Sequence, residues 1–294
     1  MTTSPQRILV ATDFSPTSKC ALSLATNIAR RLEAELHLLY VRQVVDDPGL
    51  DKRLFDEVER VLKRGEGNTI ERLHRLAQEA VDLPFEVHIE RNRSISRAII
   101  EMVGDLGCDL VVMGTHGRAG FKHLLMGSVA EKVMRLSPVP VLTSGESTTS
   151  CDDVPKNILV AHDFSEHSIE AVRLAAVWAQ LISAKVTLLH AIHPLVYHEI
   201  YALDDYSGAV WERIVRRCQD ALENIADEYL PGLNHAVAVV ENHAVRGITH
   251  YASEHRCDLV ILATRGLSGL EHAIVGSVAE QVVRLSPVPV LTVR

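Results

Sequence analysis

Glycine, serine and histidine gather in one stretch: Gly114-Thr115-His116-Gly117, then nine residues, then Gly127-Ser128. It follows an apolar run, Leu110–Met113, that reads as a buried strand, and Gly127-Ser128 opens a helical pattern. Gly permits positive φ and close backbone approach. A helix start offers unpaired amide N–H groups and the positive end of its dipole, which suits an anion. Loop and helix start can thus converge on one phosphate chain. The pattern is not a Walker loop, because Gly-x4-Gly-Lys-Ser/Thr is absent. It is not a dinucleotide fingerprint either, because no Gly-x-Gly-x-x-Gly follows a strand. Glycines that only make tight turns are the competing explanation.

A second candidate lies near the start, in Asp13-Phe14-Ser15-Pro16. Ser15 suits an N-cap and Pro16 a first helical turn. Asp13 is left at a strand end. Its carboxylate would accept hydrogen bonds from a ribose or base, or would help cap the helix. Its recurrence as Asp163 fits both readings.

The elements that must hold these residues occur twice. Residues 8–14 read Ile-Leu-Val-Ala-Thr-Asp-Phe and 158–164 read Ile-Leu-Val-Ala-His-Asp-Phe. Residues 114–142 align with 263–291 without a gap, with 18 identities in 29 positions. Such agreement means a duplicated domain, and each copy is long enough for its own core. The expected domains are 1–146 and 154–294, joined by a polar linker near Ser144–Pro155. Within the first copy, short apolar runs at Ile8–Thr12, Leu36–Val41, Phe85–Ile89, Leu110–Met113 and Val139–Leu142 alternate with helical stripes. One stripe is Ala21, Leu22, Ala25, Ile28, Ala29 and Leu32; another holds Leu54, Val58, Val61 and Leu62, then Ile70, Leu73, Leu76 and Ala77. The second copy repeats the series at 158–161, 186–191, 236–240, 259–262 and 288–293. Apolar strands alternating with helices predict an α/β fold with a parallel sheet covered on both faces. Ligands in such sheets sit at the carboxyl ends of the strands, where strand order reverses.

Asp13, the Gly114-x-x-Gly117-(nine)-Gly127-Ser128 pattern and the closing Ser-Pro-Val-Pro-Val-Leu together resemble the universal stress protein family, in its tandem form, over nearly the whole chain. The resemblance implies two doubly wound domains. Each would be a five-stranded parallel sheet of order 3-2-1-4-5 with helices on both faces. Members with the glycine motif bind ATP. By this resemblance, backbone around Val41 would read the adenine edge and Asp13 would face the nucleoside. Gly114, Gly117, Gly127 and Ser128 would hold ribose and phosphates, with Thr115, His116 and Arg118 nearby. Mg or Mn on the phosphates is compatible, though no acidic cluster dictates an ion.

The second copy departs from this pattern. Ala263 replaces Gly114, while Asp163, Gly266, Gly276 and Ser277 survive and Ala191 stands near the position of Val41. A Cβ at 263 is expected to crowd a close backbone–ligand approach and to disfavour positive φ. Arg118 becomes Leu267 and Lys122 becomes Glu271, with Arg265 opposite His116 as partial compensation. Residues 1–150 carry 19 basic and 20 acidic side chains, net −1; residues 151–294 carry 11 and 18, net −7. The N-terminal domain is therefore expected to be the main ATP site and the C-terminal one weaker.

Other residues carry less. His190, His193 and His198 suggest a metal, but no His-x-x-x-His helix or paired cysteine supports one, and loop histidines are the plainer reading. Trp178 falls in a helical stripe and reads as core; Trp211 reads as packing. Cys108 and Cys257 precede the fourth strand of each copy, away from the site, and read as packed thiols. The five cysteines, odd in number and without Cys-x-x-Cys pairing, speak against a disulfide framework or zinc site and for a reducing cytoplasm. Net charge is −8, which disfavours nucleic acid and anionic membrane, and no apolar run spans a bilayer. The start leads directly into a strand pattern, so no secretory signal is expected. The final strands, each after Ser-Pro-Val-Pro, are expected at sheet edges and to pair antiparallel, making an internal pseudo-dimer. A further homodimer is compatible with the family. No nucleophile–base pair is evident. The leading expectation is a cytoplasmic ATP-binding regulator of stress response. The alternatives are a slow ATPase and a nucleotide-independent interaction module.

Overall fold

Ser15 and Pro16 behave as their types predict: the Ser15 side chain accepts from the Ser18 amide and Pro16 is the first residue of the first helix. The computed structural model describes residues 4–44, 67–78, 83–115, 126–146, 148, 153–193, 207–266 and 276–294. The first copy runs β1 (Arg7–Ala11), α1 (Pro16–Leu32), β2 (Glu35–Gln43), α2 (67–78), β3 (Phe85–Asn92), α3 (Ile95–Leu106), β4 (Leu110–Gly114), α4 (Ser128–Leu136) and β5 (Val141–Ser144). The second runs β6 (Asn157–Ala161), α5 (Glu166–Ile182), β7 (Lys185–Ile192), α6 (Ser207–Tyr229), β8 (His235–Glu241), α7 (Ala244–Glu254), β9 (Leu259–Ala263), α8 (Ser277–Leu285) and β10 (Val290–Val293).

All ten strands form one sheet of order β3-β2-β1-β4-β5-β10-β9-β6-β7-β8. Each half has the expected order 3-2-1-4-5 and is parallel throughout. The halves meet at β5 and β10, which pair antiparallel with Leu142 opposite Leu291. The edge left open by each Ser-Pro-Val-Pro strand is thereby closed by its copy.

Alternate residues of each strand feed two cores. One face packs Ile8, Val10, Leu36, Leu38 and Val112 against α1 and α2, and their counterparts against α5 and α6. The other packs Leu9, Leu39, Val111 and Met113 against α3 and α4, and their counterparts against α7 and α8. Burying each such Leu, Ile or Val contributes about 1.5–3 kcal/mol. Trp178 is among the buried side chains, as its stripe predicts. In α2, Leu73 and Ala77 are buried, but Ile70 is exposed and lies off the apolar face. The stripe from Leu54 to Leu62 and the linker residues 147 and 149–152 lie outside the described residues.

Cysteine usage departs from expectation at one position. Cys20, on α1, is disulfide-bonded, while Cys108, Cys218 and Cys257 are free. Scatter along a chain does not fix which thiols the fold brings together. Cys108 and Cys257 are buried, and burial pushes each thiol up to about 11, so they are packed and unreactive.

Candidate functional site

The sheet reverses direction of winding between β1 and β4, and again between β6 and β9. A crevice must open there at the carboxyl ends of the strands. In the second copy it is a cavity of about 360 Å³. Asp163, Ala191, Ala263, Gly266, Gly276 and Ser277 all line it. These six residues span more than a hundred positions of sequence and are brought together by parallel strand register. Leu189, Ile248 and Leu262 supply apolar wall, and His162, Ser168, His190, Thr264 and Arg265 add polar groups.

In the first copy the same elements carry Asp13, Val41, Gly114, Thr115, Gly127 and Ser128. Ala11 pairs with Leu39 on β2 and with Met113 on β4, so Asp13, Val41 and Thr115 follow at one end of the sheet. His116, Gly117 and Arg118, with Lys122, lie outside the described residues, as do Leu267, Glu271 and His198.

Asp13 closes the turn before the Ser15 cap. Its Oδ1 accepts the Ser15 amide at 3.0 Å, and Asp163 does the same for Ser165 at 3.1 Å. Between carboxylate and cap, Phe14 and Phe164 are held at φ 66° and 64°. A non-glycine residue in the left-handed region costs about 1–2 kcal/mol. In the first copy Thr12 Oγ1 accepts the Phe14 amide at 3.1 Å; in the second, His162 Nδ1 accepts the Phe164 amide at 3.0 Å. Phe14 is further fixed by Tyr40, with ring centroids 5.2 Å apart, and by the Arg72 guanidinium 4.1 Å over its ring. This repeated strained turn was not visible in the sequence, since Phe is an unusual choice for positive φ.

His162 is the other residue the sequence reading missed. It is 4% exposed, and burial pulls it down to about 4, so it is neutral at pH 7. Nδ1 accepts from Phe164, which leaves the proton on Nε2, a buried atom without a hydrogen-bond partner among the described residues. Its signal was the Thr12-to-His162 change inside an otherwise repeated segment. His190 Nδ1 donates to the His162 carbonyl at 2.8 Å.

Gly114 and Gly127 serve the fold in ways their motif does not announce. A Cβ on Gly114 would meet Thr17 Oγ1 at 2.7 Å and Ser18 N at 3.0 Å. Glycine there permits close packing of β4 against the start of α1. Positive φ is not involved, since among described glycines only Gly107 and Gly232 adopt it. Ala263 stands at the equivalent position of the second copy and lines an open cavity. The Gly127 amide is already used: it donates to the Thr115 carbonyl at 2.9 Å, as Gly276 does to Thr264 at 2.7 Å. The first helical bond runs from Glu131 N–H to the Gly127 carbonyl. The amides of Ser128, Val129 and Ala130 remain as the donors of the helix start. Neither α4 nor α8 has a side-chain cap, whereas α1, α3 and α5 are capped by Ser15, Ser94 and Ser165. The helix starts at the crevice, those of α4 and α8 and that of α7, whose Ala244 lines the cavity and whose His243 makes no side-chain cap, thus keep backbone donors without a side-chain partner.

Comparison with known proteins agrees with this architecture. The model of the Universal stress protein family matches residues 5–144 and again 155–294. Universal stress protein MJ0531 of Methanocaldococcus jannaschii is 33% identical over 138 residues, covering 47% of this chain and 80% of its own length. Universal stress protein Mb2346c of Mycobacterium bovis is 21% identical over 276 residues, 92% of this chain and 94% of its own. The crystal structure of a universal stress protein from Archaeoglobus fulgidus superposes with a TM-score of 0.68 at 20% identity, covering 98% of both chains. Duplicated sequence, strand order and the twofold family match make this chain a tandem member of the universal stress protein family.

Proposed function

We propose that this chain is an adenine-nucleotide-binding regulator of stress response, with ATP as ligand. One observation carries the reading: an open cavity of about 360 Å³ at the strand-order reversal, against an uncapped helix start. That volume falls within the range of small-molecule sites. Apolar wall on one side suits a base, and free helix amides on the other suit phosphates. In the first copy, Val41, Asp13, Gly114, Thr115, His116, Gly117, Arg118, Gly127 and Ser128 would be the contacts. Asp163, Ala191, Ala263, Gly266, Gly276 and Ser277 would be those of the second.

The N-terminal site is the tighter of the two in this proposal. The reason is charge, −1 against −7 for the two halves, together with Arg118 and Lys122, which the second copy lacks. Asp163 is the one carboxylate lining the described cavity, so Mg or Mn would ride on the phosphates and not in a protein cage.

Calorimetric titration of the full chain with ATP tests this. Gly127→Asp places a carboxylate against the phosphates and should remove the tighter binding event. Gly276→Asp should leave it. Retention of tight binding by Gly127→Asp would overturn the assignment. Mass spectrometry of small molecules released from the native protein identifies the ligand independently.

A further inference from the structure

Far from the crevice openings, β2 and β3 bring two histidines and a glutamate together. His37 pairs with Glu86 and Leu39 with His88 across the parallel ladder. Side chains at 37, 86 and 88 therefore stand on one face of the sheet. His37 Nδ1 lies 3.2 Å from His88 Nε2 and 3.5 Å from a Glu86 carboxylate oxygen, and that oxygen is 3.7 Å from His88 Nε2. Three donor atoms of the right chemistry thus form a nearly equilateral triangle. A tetrahedral zinc ion with ligands at about 2.0–2.2 Å spaces its donors about 3.3–3.6 Å apart. The triangle has the edge lengths of one face of such a tetrahedron.

Two further observations separate this cluster from ordinary surface residues. His37 is 6% exposed, and its Nε2 is buried without a hydrogen-bond partner among the described residues. A Glu35 carboxylate oxygen, which accepts from Arg7 Nε at 2.8 Å, stands 3.9 Å from that atom. Metal-bound histidines use their second nitrogen toward such a carboxylate, which fixes the ring and the tautomer. The duplicated domain then supplies an internal control. Its β7–β8 ladder pairs Thr187 with Ala236 and Leu189 with Ala238. The equivalent positions are therefore Thr187, Ala236 and Ala238, and the same fold forms with none of the three donors. The fold does not demand His37, Glu86 or His88.

The geometry points to a divalent transition-metal site, zinc first, held by His37 Nδ1, Glu86 and His88 Nε2, with water in the fourth position. Glu86 is exposed, its side chain 70% accessible, which gives the ion an entry path. Two imidazoles and a carboxylate favour zinc, cobalt, nickel or copper over magnesium or calcium. The site lies about 13 Å along β2 from Val41, four residues at the rise of a strand, so it is separate from the nucleotide phosphates.

The test is zinc titration of the EDTA-treated full chain without nucleotide, followed by calorimetry. One ion should bind per chain. The triple variant His37→Thr, Glu86→Ala, His88→Ala installs the second copy's own residues and should lose that ion while keeping its circular dichroism. Glu86→Gln, a change at an exposed side chain, should weaken binding by about tenfold or more. It carries the test if the triple variant does not fold. Cobalt substitution should give the visible absorption of a tetrahedral site, lost in Glu86→Gln. Absence of binding in the wild-type chain, or equal binding in both variants, would overturn the proposal. Neither result bears on ATP.

Discussion

Position 12 in the first copy and position 162 in the second perform one backbone task with different side chains. Thr12 Oγ1 and His162 Nδ1 each accept the amide of the phenylalanine at positive φ. The histidine brings a pH dependence that threonine does not. Its folded value, about 4, lies below the ordinary 6.5, burial outweighing the opposing pull of Asp163, while neighbouring His190 adds to the lowering. Unfolded chains then bind the extra proton first as pH falls. The stability this group contributes is whole above pH 6.5 and is lost as pH drops toward 4, amounting to roughly 3 kcal/mol over that window. Urea melts of wild type and His162→Thr at pH 7 and pH 4.5 should show the wild type losing more, with the variant's acid sensitivity reduced. Equal slopes would mean His162 reaches water. Gly114 offers a second residue-scale prediction. Gly114→Ala should cost about 1–3 kcal/mol, because the new methyl displaces the backbone at Ser18. Ala263→Gly should not tighten ATP in the second copy. The sequence showed glycine at 114 but not why. Positive φ, ligand approach and helix packing all select the same residue, and only the neighbour at 2.7 Å distinguishes them.

Helix starts differ in their caps. Those of α1, α3 and α5 are closed by serine, that of α7 has His243 with no side-chain cap bond, and those of α4 and α8 are left to glycine. Gly127 has φ −61° and ψ 135°, a conformation that aspartate adopts readily at an N-cap. Gly127→Asp should therefore raise the melting temperature of the ligand-free protein or leave it unchanged, while abolishing ATP-induced stabilisation. A large fall in the ligand-free melting temperature would show that the variant acts through folding. Strands and most helices were legible because apolar runs and stripes report burial directly. The His37–Glu86–His88 cluster was not. His37 and His88 are 51 positions apart, and their meeting depends on a parallel register that the resemblance, which gives strand order, does not supply. What the sequence did hold was the contrast between copies, since Thr187, Ala236 and Ala238 carry none of the three donors.

At the scale of the molecule, duplication removes the liability that each domain would have alone. A five-stranded half ends in an apolar edge strand, β5 or β10, with a row of unpaired backbone groups. Pairing the two edges buries Leu142 and Leu291 completely and merges each layer of core across both copies. The seam is tied twice more by reciprocal side-chain bonds. Thr143 Oγ1 donates to the Val290 carbonyl and Thr292 Oγ1 to the Val141 carbonyl, both at 3.1 Å and both buried. The pseudo-twofold symmetry makes these two bonds equivalent, so their loss should be equivalent as well. Thr143→Val and Thr292→Val, which keep shape and remove the hydroxyl, should each destabilise the chain by about 1 kcal/mol in urea. Because both lie across one short ladder, the double variant should depart from additivity. Hydrogen exchange then locates the effect. In wild type the amides of Leu142 and Leu291 should exchange as slowly as those of central β1 and β6, and in the double variant they should exchange faster while β3 and β8 keep their rates. Fast exchange of the seam in wild type would mean that the halves open independently and that the ten strands do not act as one cooperative sheet.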